Sequence, residues 1–444
     1  MFKISNSAEK AIKMLCNYGY EAYAVGGAIR DSLMGISSSD FDITTSATPE
    51  EMKRVFSGER VIETGIKHGT LTVIIGGESL EITTYRQDGE YLDNRHPKSV
   101  QFTRSLQDDL CRRDFTMNAL AYNPISDTLV DAFGGKADIE NKIIRAIGNP
   151  QKRFQEDVLR ILRAIRFSSA LGFEIEHETK KAMLECKTLL ANISKERIAT
   201  ELNKLLCGRH AKKAILESYE ILGELLPEIK KMHGFDQRNS WHIYDILTHT
   251  TVVLENVEPI PHMRLMAFLH DVGKTRTFTL DENGVGHFYG HNKASAEIAK
   301  DVLDEYKYDN FTKDRVCKII SVHDTPIEEN RIYIKKRMNR MGKNEFFELL
   351  QLQRADNLAQ NPQKVNMKHF DIVEEIANSI IEEESCFSLK DLAINGSDLI
   401  ENGFKRGKSI GEILDFLLEQ VIEEKIKNEK IELLSKAKKE FGEN

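Results

Sequence analysis

Residues 24–43, AVGGAIRDSLMGISSSDFDI, decide how the chain is read. Tyr23, Ala24 and Val25 make a short apolar strand that meets Gly26 and Gly27. A helix carrying Arg30 is expected next, then a second strand presenting Asp40 and Asp42. Paired glycines between a strand and a helix let the backbone approach an anion closely, and the helix start offers unpaired N–H groups to phosphate. Residues two apart on a strand point the same way. Asp40 and Asp42 are therefore expected to share a face while Phe41 and Ile43 turn to the core. Two carboxylates on a rigid strand beside a phosphate cradle suit a divalent metal and in-line phosphoryl or nucleotidyl transfer. A D-x-D alone is a common turn; the Gly-Gly-helix unit before it makes the pattern specific.

The chain has 444 residues, 41% hydrophobic and 30% charged, the composition of a soluble globular protein with two to four domains. No window approaches the roughly 20 apolar residues of a membrane helix, and the N-terminus reads as an amphipathic helix rather than a signal peptide. The six cysteines are scattered without a C-x-x-C. They are expected as reduced thiols in a cytoplasmic protein. A net charge of −8 argues only weakly against a nucleic-acid partner, because affinity follows local basic surface.

Thr48 is the expected cap of a helix opening at Pro49. Leu71–Ile75 and Leu80–Tyr85 are β-rich runs separated by Gly76-Gly77, a hairpin signal. Glu81 on the second run is either a solvated glutamate or a third carboxylate for the metals. The polar stretch YRQDGEYLDNRHPKSVQF that follows reads as a mobile surface loop. Arg112, Arg113 and Asp114 stand before a short apolar segment with Asn118. Clustered arginines suit bidentate phosphate contacts and an adjacent Asp suits a ribose hydroxyl, although an R-R-D alone reads better as a surface ion pair.

The next segment, QKRFQEDVLRILRAIRFSSALGF, is periodic for one helix with Val158, Leu159, Leu162, Ile165 and Phe167 on its apolar side. On that helix Asp157 and Arg160 are neighbours, and Glu156 braces the Arg160 guanidinium. Cytosine and adenine show an amino donor beside a ring-nitrogen acceptor; uracil and guanine show a carbonyl beside an N–H. A fixed Asp acceptor next to a fixed Arg donor therefore pairs with C and A and leaves U and G unmatched. Arg163 and Arg166 either hold a triphosphate or are surface arginines. Ser194 is the expected cap of the helix at 193–206.

The order GG-x-x-R-D-x-L-x-G, D-x-D, R-R-D and E-D-x-x-R resembles the nucleotidyltransferase head of the DNA polymerase beta superfamily. More narrowly, it resembles the tRNA nucleotidyltransferases (CCA-adding enzymes) and bacterial poly(A) polymerases. The resemblance implies an α+β fold: a polymerase beta-like head with a mixed sheet, followed by an all-helical neck, body and tail. The expected boundaries are 1–148, 149–225, 226–370 and 371–444. It also implies CTP, ATP and tRNA as partners, with Mg²⁺ on Asp40 and Asp42. Gly26, Gly27, Arg30, Arg112, Arg113, Asp114, Asn118, Glu156, Asp157, Arg160, Arg163 and Arg166 would then bind nucleotide. The loop after Tyr85 would serve the final A addition. A-only enzymes and poly(A) polymerases remain the near alternatives. An RNA-binding protein whose carboxylates are purely structural is a non-enzymatic one.

Between about 225 and 365 the chain is helical and histidine-rich. His249, His270-Asp271 and Asp356 follow in the order H…HD…D, which resembles the HD phosphohydrolase superfamily. His and Asp together suit Mn, Ni, Fe, Co or Mg better than a thiolate zinc site. His291 and His323 are further candidates for a second metal, while His242, His262 and His287 have no assigned role. A working site would hydrolyse a phosphate ester, such as a 2′,3′-cyclic or terminal phosphate on a damaged RNA end. An HD phosphohydrolase with a regulatory nucleotide-binding head is thus the alternative of another class. In the tail, Lys405, Arg406 and Lys408 precede a helix and suit an RNA phosphate. The alternative there is an ordinary helix cap with solvated lysines.

Overall fold

The computed structural model describes residues 2, 4–37, 40–63, 65–89, 100–383 and 386–442. The centre of the polar loop after Tyr85, residues 90–99, lies outside the described residues. The chain forms two compact units: residues 1–230 with the short segment Glu305–Lys307, and 231–304 with 308–444.

The first unit is built on a seven-stranded mixed sheet. Its strands are β1 (Ala22–Val25), β2 (Asp42–Thr45), β3 (Arg60–Ile62), β4 (Thr70–Ile75), β5 (Glu78–Thr84), β6 (Leu120–Asn123) and β7 (Thr128–Asp131). They lie in the order β3-β4-β5-β2-β1-β6-β7. Among the described residues of this sheet, only β2 and β5 pair in parallel, with Asp42 opposite Glu81. β4 and β5 form the expected hairpin, closed by Gly76 and Gly77 at φ 60° and 85°, a left-handed pair that glycine adopts without strain. The helix Asn6–Asn17 buries Ala8, Ala11, Ile12 and Leu15 against the sheet, and Ser5 caps it by accepting from the Ala8 N–H. Thr48 caps Pro49–Val55 in a full capping box with Glu51, as expected. Ser194 stands at the start of Lys195–Leu206, but its hydroxyl makes no capping bond.

Two local readings need correction. β2 begins at Asp42, so Asp40 lies just before the strand and not on it. Phe41 and Ile43 are buried as the alternation requires, and Asp40 and Asp42 are both exposed. The segment expected as one helix is two, Pro150–Glu156 and Leu159–Leu171. Asp157 between them is extended, at φ −138° and ψ 102°. The second helix buries Leu159, Leu162, Ile165 and Phe167, so the periodicity held while the continuity did not.

The second unit is helical apart from a small hairpin, Thr279–Leu280 with Gly286–His287. Helices Ile246–Glu255, Pro261–Leu269, Asn310–Ile320 and Lys343–Leu358 pack on one another. Further along, Leu399, Ile413, Leu417, Leu418, Ile422 and Leu433 share an apolar core that fastens Gly396–Glu401, Lys408–Ile422 and Lys430–Phe441 together. No described helix is long and apolar enough to cross a membrane.

Candidate active site

A cleft of about 870 Å³ opens in the first unit. Eight arginines and four aspartates line it: Arg30, Arg86, Arg112, Arg113, Arg160, Arg163, Arg166 and Arg197 against Asp40, Asp42, Asp114 and Asp157. The excess of positive charge suits a polyanion. Gly26 and Gly27 also line it. Gly26 sits at φ 76°, which disfavours any other residue, and a Cβ there would lie 3.5 Å from Arg113 Nη1 and 3.8 Å from Asp42 Oδ2.

Desolvation at the cleft wall pushes the Asp42 carboxyl above its ordinary range; Arg113 opposes the rise, while Asp40 and Glu81 add to it. The carboxylates thus repel one another where a divalent cation would relieve them, so these residues fit one. Glu81 faces the same side of the sheet as Asp42 but is not among the residues lining the cleft.

Along the cleft wall runs a continuous polar chain. Arg30 Nη1 donates to Asn118 Oδ1 at 2.8 Å, and Asn118 Nδ2 donates to Asp114 Oδ1 at 3.0 Å. Arg163 Nη2 lies 2.6 Å from Asp114 Oδ2. Burial alone would raise Asp114, but Arg163, Asn118 and the Phe115 N–H hold it at about 2, so it is anionic under all ordinary conditions. The Phe167 ring carries three guanidinium groups, with Arg166 at 4.0 Å, Arg30 at 5.2 Å and Arg163 at 5.5 Å from its centroid. Arg166 also ion-pairs with Glu201 at 2.6 Å.

Asp109 escaped sequence reasoning. It is fully buried and takes Arg112 at 2.7 Å, Arg113 at 3.3 Å and the Thr44 hydroxyl at 3.1 Å. Burial would raise it, yet the two arginines keep it below the usual carboxylate range. The signal in sequence was its spacing, one helical turn before Arg112-Arg113.

Arg160 is buried and donates to three acceptors: Arg112 O at 2.9 Å, Arg153 O at 3.0 Å and Glu156 Oε2 at 3.1 Å. Glu156 braces it as expected, across the break. Asp157 is held separately, accepting from the Leu159 N–H at 3.2 Å and pairing with Arg197 at 3.3 Å. Arg197, a cleft residue missed in the sequence as Arg86 was, is 40 positions further on.

The second unit brings together the H…HD…D residues. His249 Nε2 lies 2.8 Å from Asp356 Oδ1 and 3.4 Å from Asp271 Oδ2; His270 Nε2 lies 3.2 Å from Asp271 Oδ2. On the other oxygen of Asp271, His291 Nε2 stands at 3.4 Å and His323 Nε2 at 3.8 Å. These form two ligand groups that share Asp271. Each imidazole turns Nδ1 to a backbone carbonyl: His249 to Ala359, His270 to Ala267, His291 to Phe288 and His323 to Ile320. An Nδ1–H donated there leaves Nε2 as a lone pair aimed at the centre, the arrangement of metal-bound histidine. His270 Nε2 is buried without a hydrogen bond, and Asp271 Oδ2 has the Lys274 ammonium 2.7 Å away. The donor set, all imidazole and carboxylate, fits a divalent transition metal or Mg²⁺. His262 instead pairs with Glu348 at 2.9 Å, away from the centre.

In the tail, Lys405, Arg406 and Lys408 are exposed at the start of Lys408–Ile422. The first helical turn carries no acid to offset its dipole.

Comparison with known proteins bears on these sites. A family model for the poly A polymerase head domain matches residues 22–145. One for the RNA and SrmB-binding site of polymerase A matches 172–232, and one for tRNA nucleotidyltransferase domain 2 matches 286–437. The chain is 35% identical to the CCA-adding enzyme of Ligilactobacillus salivarius over 95% of its own length and 93% of that protein's. It is 36% identical to the CCA-adding enzyme of Bacillus pumilus over 94% and 92%. The crystal structure of the Bacillus stearothermophilus CCA-adding enzyme in complex with CTP superposes with a TM-score of 0.74 at 29% identity, covering 98% of this chain and 96% of that one.

Proposed function

Since this chain belongs to the family of CCA-adding enzymes, we propose that it adds C, C and A from CTP and ATP to the 3′ end of tRNA, without a nucleic-acid template, in the arginine-lined cleft of the first unit. One observation carries the reading: a single cleft joins an acid pair, a set of arginines and a fixed Asp–Arg edge. Relatives matched over nearly the whole chain are CCA-adding enzymes, which favours this over A-only addition or poly(A) synthesis. We place the work in the cytoplasm, where tRNA and both nucleotides meet.

In the reaction the terminal 3′-oxygen attacks the α-phosphorus, and the bond to pyrophosphate breaks. Nucleotidyltransferases of this family depend on a divalent metal, and Mg²⁺ on Asp40 and Asp42 would neutralise the triphosphate and acidify the hydroxyl. Arg112, Arg113, Arg163 and Arg166 face the phosphates, and Asp114 and Asn118 face the ribose. Asp157 and Arg160 read the base. Arg160 spends three of its five N–H groups on protein acceptors, leaving an N–H on Nη2 and Nε to meet a ring nitrogen. Asp157 accepts the amino group. Both are immobilised by the protein, so the edge keeps its shape when a wrong base arrives. Lys405, Arg406 and Lys408 hold tRNA phosphates.

Asp157→Ala is expected to relax the preference for CTP and ATP over UTP and GTP by about 1–3 kcal/mol, the worth of a bidentate base contact. Single-nucleotide addition with each NTP measures it. A variant that keeps the wild-type preference and only slows would show that Asp157 is structural.

A second reading is favoured by the buried imidazole–carboxylate centre. We propose that His249, His270, Asp271 and Asp356, with His291 and His323 on the shared Asp271, hold divalent metal and support hydrolysis of a phosphate ester. A bound cation would supply the Lewis acidity. Lys274 Nζ, 2.7 Å from Asp271, neutralises part of the buried charge. Asp271→Asn is expected to abolish both metal binding by titration calorimetry and hydrolysis of bis(p-nitrophenyl) phosphate with Ni, Mn, Co or Mg. CCA addition should stay at the wild-type rate. Wild type inert with every metal, or equal loss of both activities, would reduce the centre to scaffold.

A further inference from the structure

In the head, the groups placed on the nucleotide come from one side of β2. Gly26, Gly27 and Arg30 follow β1, while Arg112, Arg113, Asp114 and Asn118 precede β6, the next strand in the sheet. On the other side of β2 lie β5 and then β4. Thr70, which opens β4, and His68, two residues before it, line the same cleft as Asp40 and Asp42. The register puts Thr70 on the face of Asp42. Asp42 pairs with Glu81 and Thr44 with Thr83, and Thr83 stands opposite Thr70 with the two hydroxyls 2.9 Å apart.

The turn that carries His68 is fixed from several directions. Ile66–His68 form one turn of 3-10 helix between Gly65 and Gly69. Gly69 sits at φ 81°, and a Cβ there would lie 2.7 Å from the Phe102 ring. The Gly65 carbonyl accepts from the His68 N–H at 2.9 Å and from the Thr70 N–H at 3.1 Å, and the Gly69 carbonyl accepts from the Thr84 N–H at 2.9 Å. Arg86 Nη1 donates to the His68 carbonyl at 2.7 Å, while the Arg86 N–H donates to Asp109 Oδ1 at 3.4 Å. The turn is thereby tied to the buried acid that holds Arg112 and Arg113, and His68 itself stays exposed at the cleft.

In-line displacement brings the attacking oxygen in opposite the departing pyrophosphate. With the triphosphate on Arg112 and Arg113, the RNA end comes in across the acids from the β5–β4 side. We propose that His68 binds the acceptor end there, its imidazole donating to the phosphodiester on the 5′ side of the terminal nucleotide and so aiming the 3′-hydroxyl at the α-phosphorus. The inference rests on the nucleotidyltransferase reading and adds the half of the site that takes RNA. A hydrogen bond to an ionised phosphate is charge-assisted, and it ignores the base, which suits an acceptor whose last base changes as the 3′ end grows.

The full chain with Mg²⁺ and CTP is given tRNA lacking CCA, with either a normal last phosphodiester or an uncharged methylphosphonate in its place. For wild type the methylphosphonate should lower kcat/KM for tRNA about tenfold to a hundredfold, the worth of a hydrogen bond to a charged group. His68→Ala should lower it by a similar factor on normal tRNA, with KM for CTP unchanged, and should lose no more on the methylphosphonate. His68→Gln keeps an N–H donor and should restore most of both the rate and the sensitivity. If the two losses multiply in His68→Ala, if that variant matches wild type on normal tRNA, or if KM for CTP rises as far as kcat/KM for tRNA falls, the acceptor contact is overturned while nucleotide addition stands. Wild type that adds C to neither tRNA would overturn both readings.

Discussion

Asp42→Ala is expected to lower CCA addition by about a thousandfold or more, since loss of transition-state charge stabilisation at a metal-holding carboxylate is worth several kcal/mol. Asp42 opens β2, faces Glu81 in the parallel register, and lies within reach of the space above Gly26 where Arg113 also points. Desolvation at the cleft wall raises its carboxyl first, and Asp40 and Glu81 add to the rise that Arg113 opposes. Removing it leaves Asp40 to hold the cation from an exposed position outside the strand. Affinity for tRNA should change little, because the basic tail residues lie in the other unit. Addition of CTP to a tRNA lacking CCA, with a parallel binding assay, gives both numbers. Substantial addition by the variant would end the metal role of Asp42. Loss of tRNA binding in equal measure would mean that the head had misfolded.

The second large effect is expected at a residue that never touches substrate. Asp109→Ala removes the fully buried partner of Arg112 and Arg113 and strands both guanidinium groups. Breaking a buried ion pair from one side costs on the order of 3–5 kcal/mol of stability. The arginines also lose their aim, and one misplaced charge-assisted phosphate contact raises KM for CTP about tenfold to a hundredfold. Asp109→Asn keeps the shape and the Thr44 bond while dropping the charge, so it should fall between. Denaturant unfolding and CTP saturation kinetics check the two parts. A variant of wild-type stability and wild-type KM would show that the arginines position themselves. Loss of stability with KM intact would make Asp109 a core residue only.

Much of the head was legible because its signals are local. Gly26 must accept a positive φ, Thr48 and Glu51 close a capping box within four residues, and Gly76-Gly77 turn a hairpin whose strands alternate. Spacing along one element predicts which side chains share its face, and the resemblance to the nucleotidyltransferases grouped Gly26, Asp42, Arg113, Asp114, Arg160 and Arg163, which line one cleft. It also picked out the histidines and aspartates of the second unit, because imidazoles and carboxylates in that order are chemically distinctive.

Tertiary structure decided what local spacing cannot carry. The helix break at Asp157 has no glycine or proline to announce it; its stabilising partner, Arg197, comes from a helix 40 residues on. Arg160 is fixed by the carbonyl of Arg112, a main-chain acceptor that no side-chain pattern encodes. The four Nε2 lone pairs converge because backbone carbonyls on separate segments take each Nδ1. Periodicity marks which face of an element is buried, and so the sequence by itself determined the elements, their faces and the residue types of both sites. Which faces meet depends on packing and hydrogen bonds between segments far apart in the chain. Only the folded chain could therefore show that Asp109 anchors two arginines, that Asp157 and Arg160 are held independently, and that His68 shares one cleft with the acid pair.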